Sequence, residues 1–367
     1  MAEAILAPPR EGDPREGDRA PPCYGMSPDR TFFSSEQQYG RPAVLVLMGA
    51  DSGPPALATA LVPHLRSFAD RSADVMIIVD ENPRQLSGGD LVSLPLRTID
   101  CGDFLSRCGV GRGDSLVLVL DRNLRIAMRL TPEPGADIAA LCLAGLDGLP
   151  SEAARDVSMP APVVMLPNLL SHAVCRELIA LFEAGPTIDG EVARIDAAGT
   201  VRSVVDHNKK RRRDLMIDAD SALHRMLRDT LLDRCAPEIA KGFQKRVAHT
   251  DRILVSRYDD TGGWFRRHRD NAARNVAFRE FALTVNLNTG EYAGGHLLFP
   301  EYNDHRYLPA AGAGVIFSTA LLHEAAPVTS GRRYTLLTFL HSEAAEARRL
   351  ELVATMDVAG GFEAGVA

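Results

Sequence analysis

The sequence predicts two domains, an N-terminal α/β unit followed by a unit of helices and then β-strands. Between residues 42 and 130, apolar strand-like runs alternate with segments of helical periodicity. A Pro-punctuated linker, "MPAPVVMLPN" (159–168), follows, and strand-like runs separated by Gly-, Asn- and Asp-rich turns dominate from 247 to 341. A chain of 367 residues is long enough to bury two cores.

Composition excludes several classes of protein. A net charge of -7 argues against a general binder of nucleic acid, although a local basic patch stays compatible with it. No run approaches the eighteen apolar residues that span a membrane, and the N-terminus lacks the pattern of a secretory signal. Six dispersed cysteines without a C-x-x-C pair favour a reducing, cytoplasmic setting over a disulfide framework. The oligomeric state stays open.

The N-terminal unit is predicted to cover residues 23–150, after a flexible lead-in over 1–22 in which "REGD" occurs twice. Ordered structure is expected to begin near Tyr24. "AVLVLM" (43–48) is typical of a strand buried on both faces. The predicted elements that follow are a helix over 55–70, a strand over 74–80, a helix near 101–108 and a hairpin over 114–130.

The second unit is predicted to cover residues 160–345, with a tail over 346–367 and a boundary near 150–160. Ser171 can cap a helix that Gly185 ends, and a second helix is expected over about 219–235. The strand-like runs then favour an all-β sandwich or barrel packed on helices. These runs are "DRILVSRY", "FALTVNLN", "GGHLLFP", "AGVIFS" and "RRYTLLTFL".

A candidate metal centre lies in the β-rich half. His268 and Asp270 form a His-x-Asp pair, and residues i and i+2 of an extended segment point to the same side. His323, which follows the run "GVIFS", is the best third ligand. Two histidines and one carboxylate form the facial triad of non-haem Fe(II) oxygenases. Arg333 and Thr335 share one face of the next strand, where a guanidinium can bind the distal carboxylate of a dicarboxylic co-substrate.

Three segments carry a resemblance to a known family: "RYDDTGGWFRRHRDN" (257–271), "YAGGHLLFP" (292–300) and "HEAAPVTSGRRYTLLTFL" (323–340). They resemble the catalytic core of the Fe(II)- and 2-oxoglutarate-dependent dioxygenases, in the prolyl-4-hydroxylase-like branch, and helical residues 163–245 resemble the support region before it. The resemblance implies a double-stranded β-helix (jelly roll) with supporting helices. It also implies iron ligation by His268, Asp270 and His323.

The same resemblance implies roles around the co-substrate. Arg333 would anchor 2-oxoglutarate beside Thr335, and Tyr258 matches a tyrosine that lines the co-substrate pocket. Asn286 occupies a position where some relatives carry a co-substrate-binding tyrosine. Where relatives often show G-G-E-L, this chain has His296, which is interpreted as lying outside the triad.

The implied activity is hydroxylation of a protein side chain (prolyl-type) or a small molecule, with release of succinate and CO2. Fe(II), 2-oxoglutarate and O2 are the implied cofactor and co-substrates, and ascorbate is a candidate reductant. The substrate is the expected partner. Two alternatives stay open at this point. One is a metal-binding sensor or scaffold that turns over slowly, and the other is a thiol peroxidase.

The peroxidase alternative depends on the N-terminal unit. "GDRAPPCYGMSPDRTFFSSEQQYGRPAVLVLMG" (17–49) and "DSLVLVLDRNLRIAMRL" (114–130) resemble peroxiredoxin segments within the thioredoxin-like superfold. Peroxiredoxins carry P-x-x-x-T-x-x-C, whereas this chain has Pro55, Thr59 and then Val62 in place of the thiolate nucleophile. The unit is therefore interpreted as a degenerate relative that serves docking, substrate presentation or stability. Cys101 and Cys108 are interpreted as structural thiols.

The basic run "NKKRRRD" (208–214) allows several interpretations. Its charges can contact phosphates, but no aromatic stacking platform accompanies them. A solvated loop beside the mouth of the active site is the preferred interpretation. In a third interpretation, this run and Arg266, Arg267 and Arg269 attract an acidic substrate.

Overall fold

A computed structural model describes residues 13–50, 56–79, 97–151, 154–195 and 201–358. The chain divides into two compact units, whose described parts are residues 13–151 and 154–358. Three predictions fall partly outside the described residues: the first part of the lead-in (1–12), Pro55 of the peroxiredoxin-like pattern, and the end of the C-terminal tail (359–367).

The N-terminal unit is a mixed sheet with short helices. Its sheet has the strand order β2-β1-β5-β4-β3-β6-β7, in which β3, β4 and β5 are parallel, β6 runs antiparallel to β3, and β7 runs antiparallel to β6. The strands are β1 (Tyr24–Met26), β2 (Phe32–Ser34), β3 (Ala43–Met48), β4 (Asp74–Val79), β5 (Arg97–Asp100), β6 (Ser115–Leu120) and β7 (Ile126–Leu130). The α-helices are α1 (Ala56–Leu61), α2 (Leu65–Asp70), α3 (Phe104–Arg107) and α4 (Ile138–Asp147).

The apolar run of β3 explains the place of this strand in the sheet. All six of its residues are buried, and they alternate between two separate hydrophobic clusters, one on each face of the sheet. The predicted hairpin over 114–130 is confirmed by the β6–β7 pairing. The predicted helix over 55–70 is interrupted, because a 3-10 turn over Val62–His64 separates α1 from α2. Pro63 lies in that turn and has no N–H for an α-helical hydrogen bond.

Two expectations for this unit are wrong. Ordered structure begins before Tyr24, since the backbone of Gly17 and Ala20 donates hydrogen bonds to the loop and strand at Leu124 and Ile126. Cys101 is not a free thiol, because it forms a disulfide with Cys23 across 78 residues of sequence. Cys108 is a buried free thiol, and burial raises its pKa to about 12.

The C-terminal unit contains two long helices in its first half, α5 (His172–Ala184) and α6 (Ala222–Phe243). The Ser171 side chain accepts a hydrogen bond from the Val174 N–H, and Gly185 caps the other end of α5, as predicted. Helix α6 extends eight residues beyond its predicted end and contains Pro237. The buried side chains Leu227, Leu231 and Ile239 show that packing offsets the missing backbone hydrogen bond.

The strands of the C-terminal unit form two principal antiparallel sheets. The larger sheet has the order β8-β20-β17-β22-β15-β13-β9, and the smaller one β12-β16-β21-β19. One hydrophobic cluster joins Leu297 of the smaller sheet to Ala282 and Phe317 of the larger one, which is the layered packing of a jelly roll. The strands are β8 (Val163–Leu166), β9 (Ile188–Asp189), β10 (Val192–Ile195), β11 (Val201–Val204), β12 (Lys210–Arg211), β13 (Arg213–Met216), β14 (His249–Thr250), β15 (Leu254–Asp259), β16 (Trp264–His268), β17 (Phe281–Asn286), β18 (Tyr292–Gly294), β19 (Leu297–Leu298), β20 (Gly314–Ser318), β21 (His323–Ala325) and β22 (Val328–His341).

Strand β22 is central to the larger sheet. It pairs with β15 on one side and with β17 on the other, and also with β14 and β18. It begins at Val328, before the predicted "RRYTLLTFL". The expected tail from 346 is helical as far as the described residues reach, in α7 (Glu343–Val358). Within the described ranges, no helix has the length and apolar character needed to cross a membrane.

Candidate metal centre and co-substrate pocket

His268, Asp270 and His323 lie together at one end of the smaller sheet. His268 is the last residue of β16, His323 is the first residue of β21, and the two are paired in register. Asp270 follows β16 in a turn, where its N–H donates to the Thr319 carbonyl at 3.0 Å. One ligand atom from each of the three residues lies within 4.8 Å of the other two. The structure therefore brings all three predicted ligands together, although Asp270 lies in the turn after β16 and not in the strand itself.

The histidine rings are oriented by their own backbone neighbourhoods. His268 Nδ1 lies 2.7 Å from the Arg266 carbonyl, and His323 Nδ1 lies 3.0 Å from the Leu321 carbonyl. Because a carbonyl can only accept, each Nδ1 carries a proton, which leaves Nε2 as the nitrogen that faces Asp270. Both Nε2 atoms lie 3.4 Å from the Asp270 carboxylate, one beside each oxygen. Such backbone contacts to the outer nitrogen are typical of metal-ligating histidines.

Aromatic rings pack against both histidines of this cluster. The Phe265 ring stacks on His268 with centroids 3.5 Å apart, and the Phe317 ring meets His323 edge-on at 4.7 Å. Burial lowers the pKa of His323 to about 4, so the imidazole is neutral near pH 7. Burial acts to raise the pKa of Asp270, but the adjacent His323 and His268 outweigh it and lower that pKa overall. The neutral imidazole of His323 and the carboxylate of Asp270 are thus ready to bind a cation.

The donor set fits Fe(II). Neighbouring ligands of an octahedral ion with bonds of about 2.1 Å lie roughly 3 Å apart. The two measured nitrogen–oxygen separations of 3.4 Å exceed this only slightly. Three ligands on one face leave coordination positions open, which suits oxygen chemistry at non-haem iron.

Arg333 and Thr335 form a second polar site on β22. Both side chains are buried, and each retains a polar atom with no hydrogen-bond partner among the described residues, Arg333 Nε and Thr335 Oγ1. Arg333 Nη2 donates to Asn286 Oδ1 at 2.9 Å. Unpartnered buried donors are uncommon in native proteins and indicate an absent ligand. A carboxylate has the charge and the acceptor oxygens that these groups require.

Asn286 serves Arg333 from the neighbouring strand. Its side-chain amide lies within hydrogen-bond distance of Thr289 Oγ1, the Tyr292 hydroxyl and the Pro309 carbonyl, at 3.0, 3.0 and 3.2 Å. These contacts orient the amide so that its oxygen accepts from Arg333. The structure therefore places Asn286 against the Arg333 guanidinium.

Tyr258 lies beside Arg333, to which it is paired in register between β15 and β22. Its ring is buried, and the Arg333 guanidinium lies 5.2 Å from the ring centroid. The Tyr258 hydroxyl oxygen accepts a hydrogen bond from Arg212 Nη1 at 3.2 Å. The tyrosine thus connects Arg333 with the basic run.

The preferred interpretation of the basic run as a solvated loop is wrong for two of its members. Lys210 is 3% exposed, and its Nζ lies 5.1 Å from the centroid of the Phe265 ring. Arg212 forms a buried ion pair with Asp214, and Asp214 also accepts from Ser256. The sequence did not predict that Lys210 and Arg212 are buried, because the strands around them are too short to show an alternation of buried and exposed residues. The one weak indication of a polar partner inside the sheet was Ser256, which lies on the same face of β15 as Tyr258.

Other predicted residues stay outside the cluster. Arg267 and Arg269 are exposed and pair with Glu324 and Glu301, whereas the Arg266 guanidinium lies over the Trp264 ring. His296 is not a member of the metal-binding group found among the described residues.

Comparison with known proteins identifies the C-terminal region. Residues 253–341 match the family model of the 2OG-Fe(II) oxygenase superfamily. A PKHD-type hydroxylase from Caulobacter vibrioides is 27% identical over 207 residues, which cover 54% of this chain and 86% of that protein. A solved prolyl hydroxylase from Trichoplax adhaerens, in complex with a hypoxia inducible factor peptide fragment, is 18% identical and has a TM-score of 0.40. That likeness covers 51% of this chain and 86% of the other.

Another solved structure matches a smaller share of the chain. Peroxidoxin BcpB from Mycobacterium tuberculosis is 19% identical, covers 38% of this chain and 99% of its own, and has a TM-score of 0.33.

The match over 253–341 and the two antiparallel sheets define the C-terminal unit as an oxygenase domain that uses Fe(II) and 2-oxoglutarate. This domain matches the 2OG-Fe(II) oxygenase superfamily, and the chain is a 2-oxoglutarate-dependent hydroxylase. Fe(II), 2-oxoglutarate and O2 are accordingly its cofactor and co-substrates.

Proposed function

We propose that this hydroxylase acts on an aliphatic C–H bond of a protein side chain, prolyl-type, or of a small molecule. His268, Asp270 and His323 hold the iron, and Arg333 with Thr335 binds the distal carboxylate of 2-oxoglutarate. The observation that carries the proposal is the conjunction of a convergent His-Asp-His cluster with buried, unpartnered donors on β22. A PKHD-type hydroxylase among the relatives supports the reaction type.

Bound Fe(II) supplies the oxidising chemistry. One oxygen atom of O2 enters the substrate as hydroxyl and the other enters succinate, while the C1 carboxylate of 2-oxoglutarate leaves as CO2. The residues of this chain bind and orient. The Nδ1–H groups of both histidines stay hydrogen-bonded to backbone carbonyls, which fixes the Nε2 atoms toward the metal. Phe265 and Phe317 pack against the two imidazole rings and restrict their movement.

Asn286 holds the Arg333 guanidinium in place before the co-substrate arrives. Because the donor is already oriented and buried, binding needs little rearrangement of the anchor. The guanidinium neutralises the distal carboxylate and takes no part in electron or proton transfer.

For the N-terminal unit we propose a thioredoxin-like fold that has lost peroxidase chemistry. In support, β3 lies between parallel β4 and antiparallel β6, and β7 follows at the edge. Val62 starts the 3-10 turn after α1, at the position where a peroxidatic cysteine is expected. Without a thiolate there, the unit serves as a docking, substrate-presenting or stabilising module.

The test is turnover by the full chain, loaded anaerobically with Fe(II) and 2-oxoglutarate and then exposed to ¹⁸O2 with candidate peptides and metabolites. One labelled oxygen in the product and one in succinate is the expected result by mass spectrometry. Asp270→Ala should abolish both labels, whereas His305→Ala, which changes an exposed histidine, should retain them. Binding of iron and co-substrate without succinate from any acceptor would contradict turnover and favour a metal-binding sensor.

A further inference from the structure

Arg212 is the buried cation that connects the basic run to the co-substrate pocket. It lies between β12 and β13, and its side chain is only 8% exposed. Arg212 Nε lies 2.7 Å from Asp214 Oδ1, and Nη2 donates to Asp214 Oδ2 at 3.0 Å. Nη1 donates to the Tyr258 hydroxyl, and the guanidinium carbon also lies 5.8 Å from the centroid of the Phe265 ring. One side of the guanidinium is thus held by a carboxylate, and the other faces the tyrosine.

The partner carboxylate is itself fixed. Asp214 is buried and accepts from Ser256 Oγ at 2.6 Å. Burial acts to raise the pKa of Asp214, but the charges of Arg212 and Lys210 outweigh it and lower that pKa, so the pair stays ionised. Asp214 and Ser256 are opposed in register between β13 and β15, and Ser256 is opposed to Thr335 of β22. The pair is therefore built into the larger sheet.

The chemistry of the two groups fixes the direction of the Tyr258 hydrogen bond. A guanidinium has donors and no acceptor, so the Tyr258 oxygen must accept from Arg212. The phenolic proton is then left to donate to another group. No carbonyl or carboxylate among the described residues accepts it, although a buried tyrosine hydroxyl usually finds a partner. The Arg333 guanidinium beside the ring cannot accept it either.

We propose that Arg212 is a positioning residue for the dicarboxylic co-substrate. Because Arg212 donates a hydrogen bond to the Tyr258 oxygen, the phenolic proton is directed to the carboxylate that Arg333 binds. The inference rests on the proposed binding of 2-oxoglutarate beside Arg333. It assigns a role to a residue outside the iron ligands and outside the Arg333–Thr335 pair, and that role acts through Tyr258 alone.

A double-mutant cycle tests this. The affinity for 2-oxoglutarate is measured by calorimetry on anaerobic Fe(II)-loaded full chain for the wild type, Tyr258→Phe, Arg212→Gln and the double variant. Tyr258→Phe removes one hydrogen bond to a charged group and should weaken binding about tenfold. Arg212→Gln should weaken it by a similar factor, and the double variant should be no weaker than Tyr258→Phe. The KM for 2-oxoglutarate should rise in parallel, with kcat at saturation within about twofold of the wild type.

Two further variants separate positioning from structure. Arg213→Gln changes the next residue, which contacts Thr187 and not Tyr258, and should bind 2-oxoglutarate as the wild type does. Arg212→Gln leaves Asp214 without its buried partner, so the variant Arg212→Gln/Asp214→Asn removes both charges and keeps the test available if the single variant fails to fold. In every folded variant the affinity for Fe(II) should be unchanged.

Three outcomes would overturn the inference. The first is an unchanged co-substrate affinity in Arg212→Gln or in Arg212→Gln/Asp214→Asn. The second is a loss of affinity in Arg212→Gln that adds in full to the loss in Tyr258→Phe, and the third is a loss of Fe(II) affinity together with the loss of co-substrate affinity. Failure of the proposed function looks different, because the wild type itself would then bind no 2-oxoglutarate.

Discussion

Replacing Arg333 with methionine should weaken 2-oxoglutarate binding strongly and leave the stability of the ligand-free protein nearly unchanged. The Arg333 side chain is 3% exposed, and among the described residues its one hydrogen-bond partner is Asn286. No carboxylate pairs with it in those residues. Methionine fills a similar elongated volume without the charge. The variant thus removes a charge that has no carboxylate partner before the co-substrate binds.

The magnitudes follow from these contacts. Loss of the hydrogen bond to Asn286 lowers the free energy of unfolding by about 1.5–3 kcal/mol. Removal of a buried charge without a carboxylate partner raises it by a similar amount. The free energy of unfolding without ligand should therefore change by less than about 2 kcal/mol. Two charge-assisted bonds to the co-substrate carboxylate, at about 1.5 kcal/mol each, amount to roughly a 150-fold change in Kd.

The assay combines calorimetric titration of 2-oxoglutarate into anaerobic Fe(II)-loaded protein with urea unfolding. At a concentration 100 times its Kd, the co-substrate stabilises the wild type by about 2.7 kcal/mol, and at that concentration the variant should gain only ~0.3 kcal/mol. Arg332→Met is the matched control, since its side chain is 58% exposed and its closest carboxylate is Asp259 at 3.6 Å. A Kd within about fivefold of the wild type, or a loss of several kcal/mol without ligand, would refute the reasoning.

Three other outcomes are expected. Asp270→Ala should weaken Fe(II) binding at least ~100-fold, whereas His296→Ala should leave it unchanged. The measurement is the metal content of each variant after dialysis, and equal metal content in the two variants would count against the triad. Burial lowers the pKa of Lys210 from 10.5 to about 6, so between these values the unfolded state binds more protons and the wild type gains stability as pH rises. Lys210→Met should lack that gain when the free energy of unfolding is measured in urea at pH 6, 8 and 10. The same pH dependence of that free energy in the wild type and in Lys210→Met would contradict the prediction. Reductant should lower the free energy of unfolding of the wild type by about 2–4 kcal/mol, because it opens a disulfide that joins residues 78 positions apart. Cys23→Ser should not respond to reductant, and an equal loss of stability in both proteins would rule this out.

The convergence of His268, Asp270 and His323 was predictable because the spacing of these residue types in the sequence indicates a metal site. A His-x-Asp pair with a distant histidine and an arginine ten residues later combines rare residue types with strand periodicity. The register between β16 and β21 then brings His268 opposite His323. Alternation along β22 likewise predicted that Arg333 and Thr335 share a face.

The inward turn of Lys210 and Arg212 was not predictable from the sequence. A run of basic residues has the same local pattern whether it faces water or a buried carboxylate, and β12 is only two residues long. The partners that decide the matter, Asp214 with Ser256 and Tyr258 on β15, become neighbours only through sheet pairing. The disulfide between Cys23 and Cys101 was missed for the same reason, since spacing alone does not reveal which cysteines meet.

The 14-residue β22 has a consequence for how the pocket can open. Because Arg333 and Thr335 lie on a strand paired with β15 on one side and with β17 near Thr335 on the other, their backbone belongs to the slowest-exchanging part of the domain. Local fluctuations that admit 2-oxoglutarate must then occur elsewhere, in segments with fewer ladder bonds. The amide protons from Thr335 to Leu340 should exchange with deuterium only on global unfolding, whether or not the co-substrate is bound.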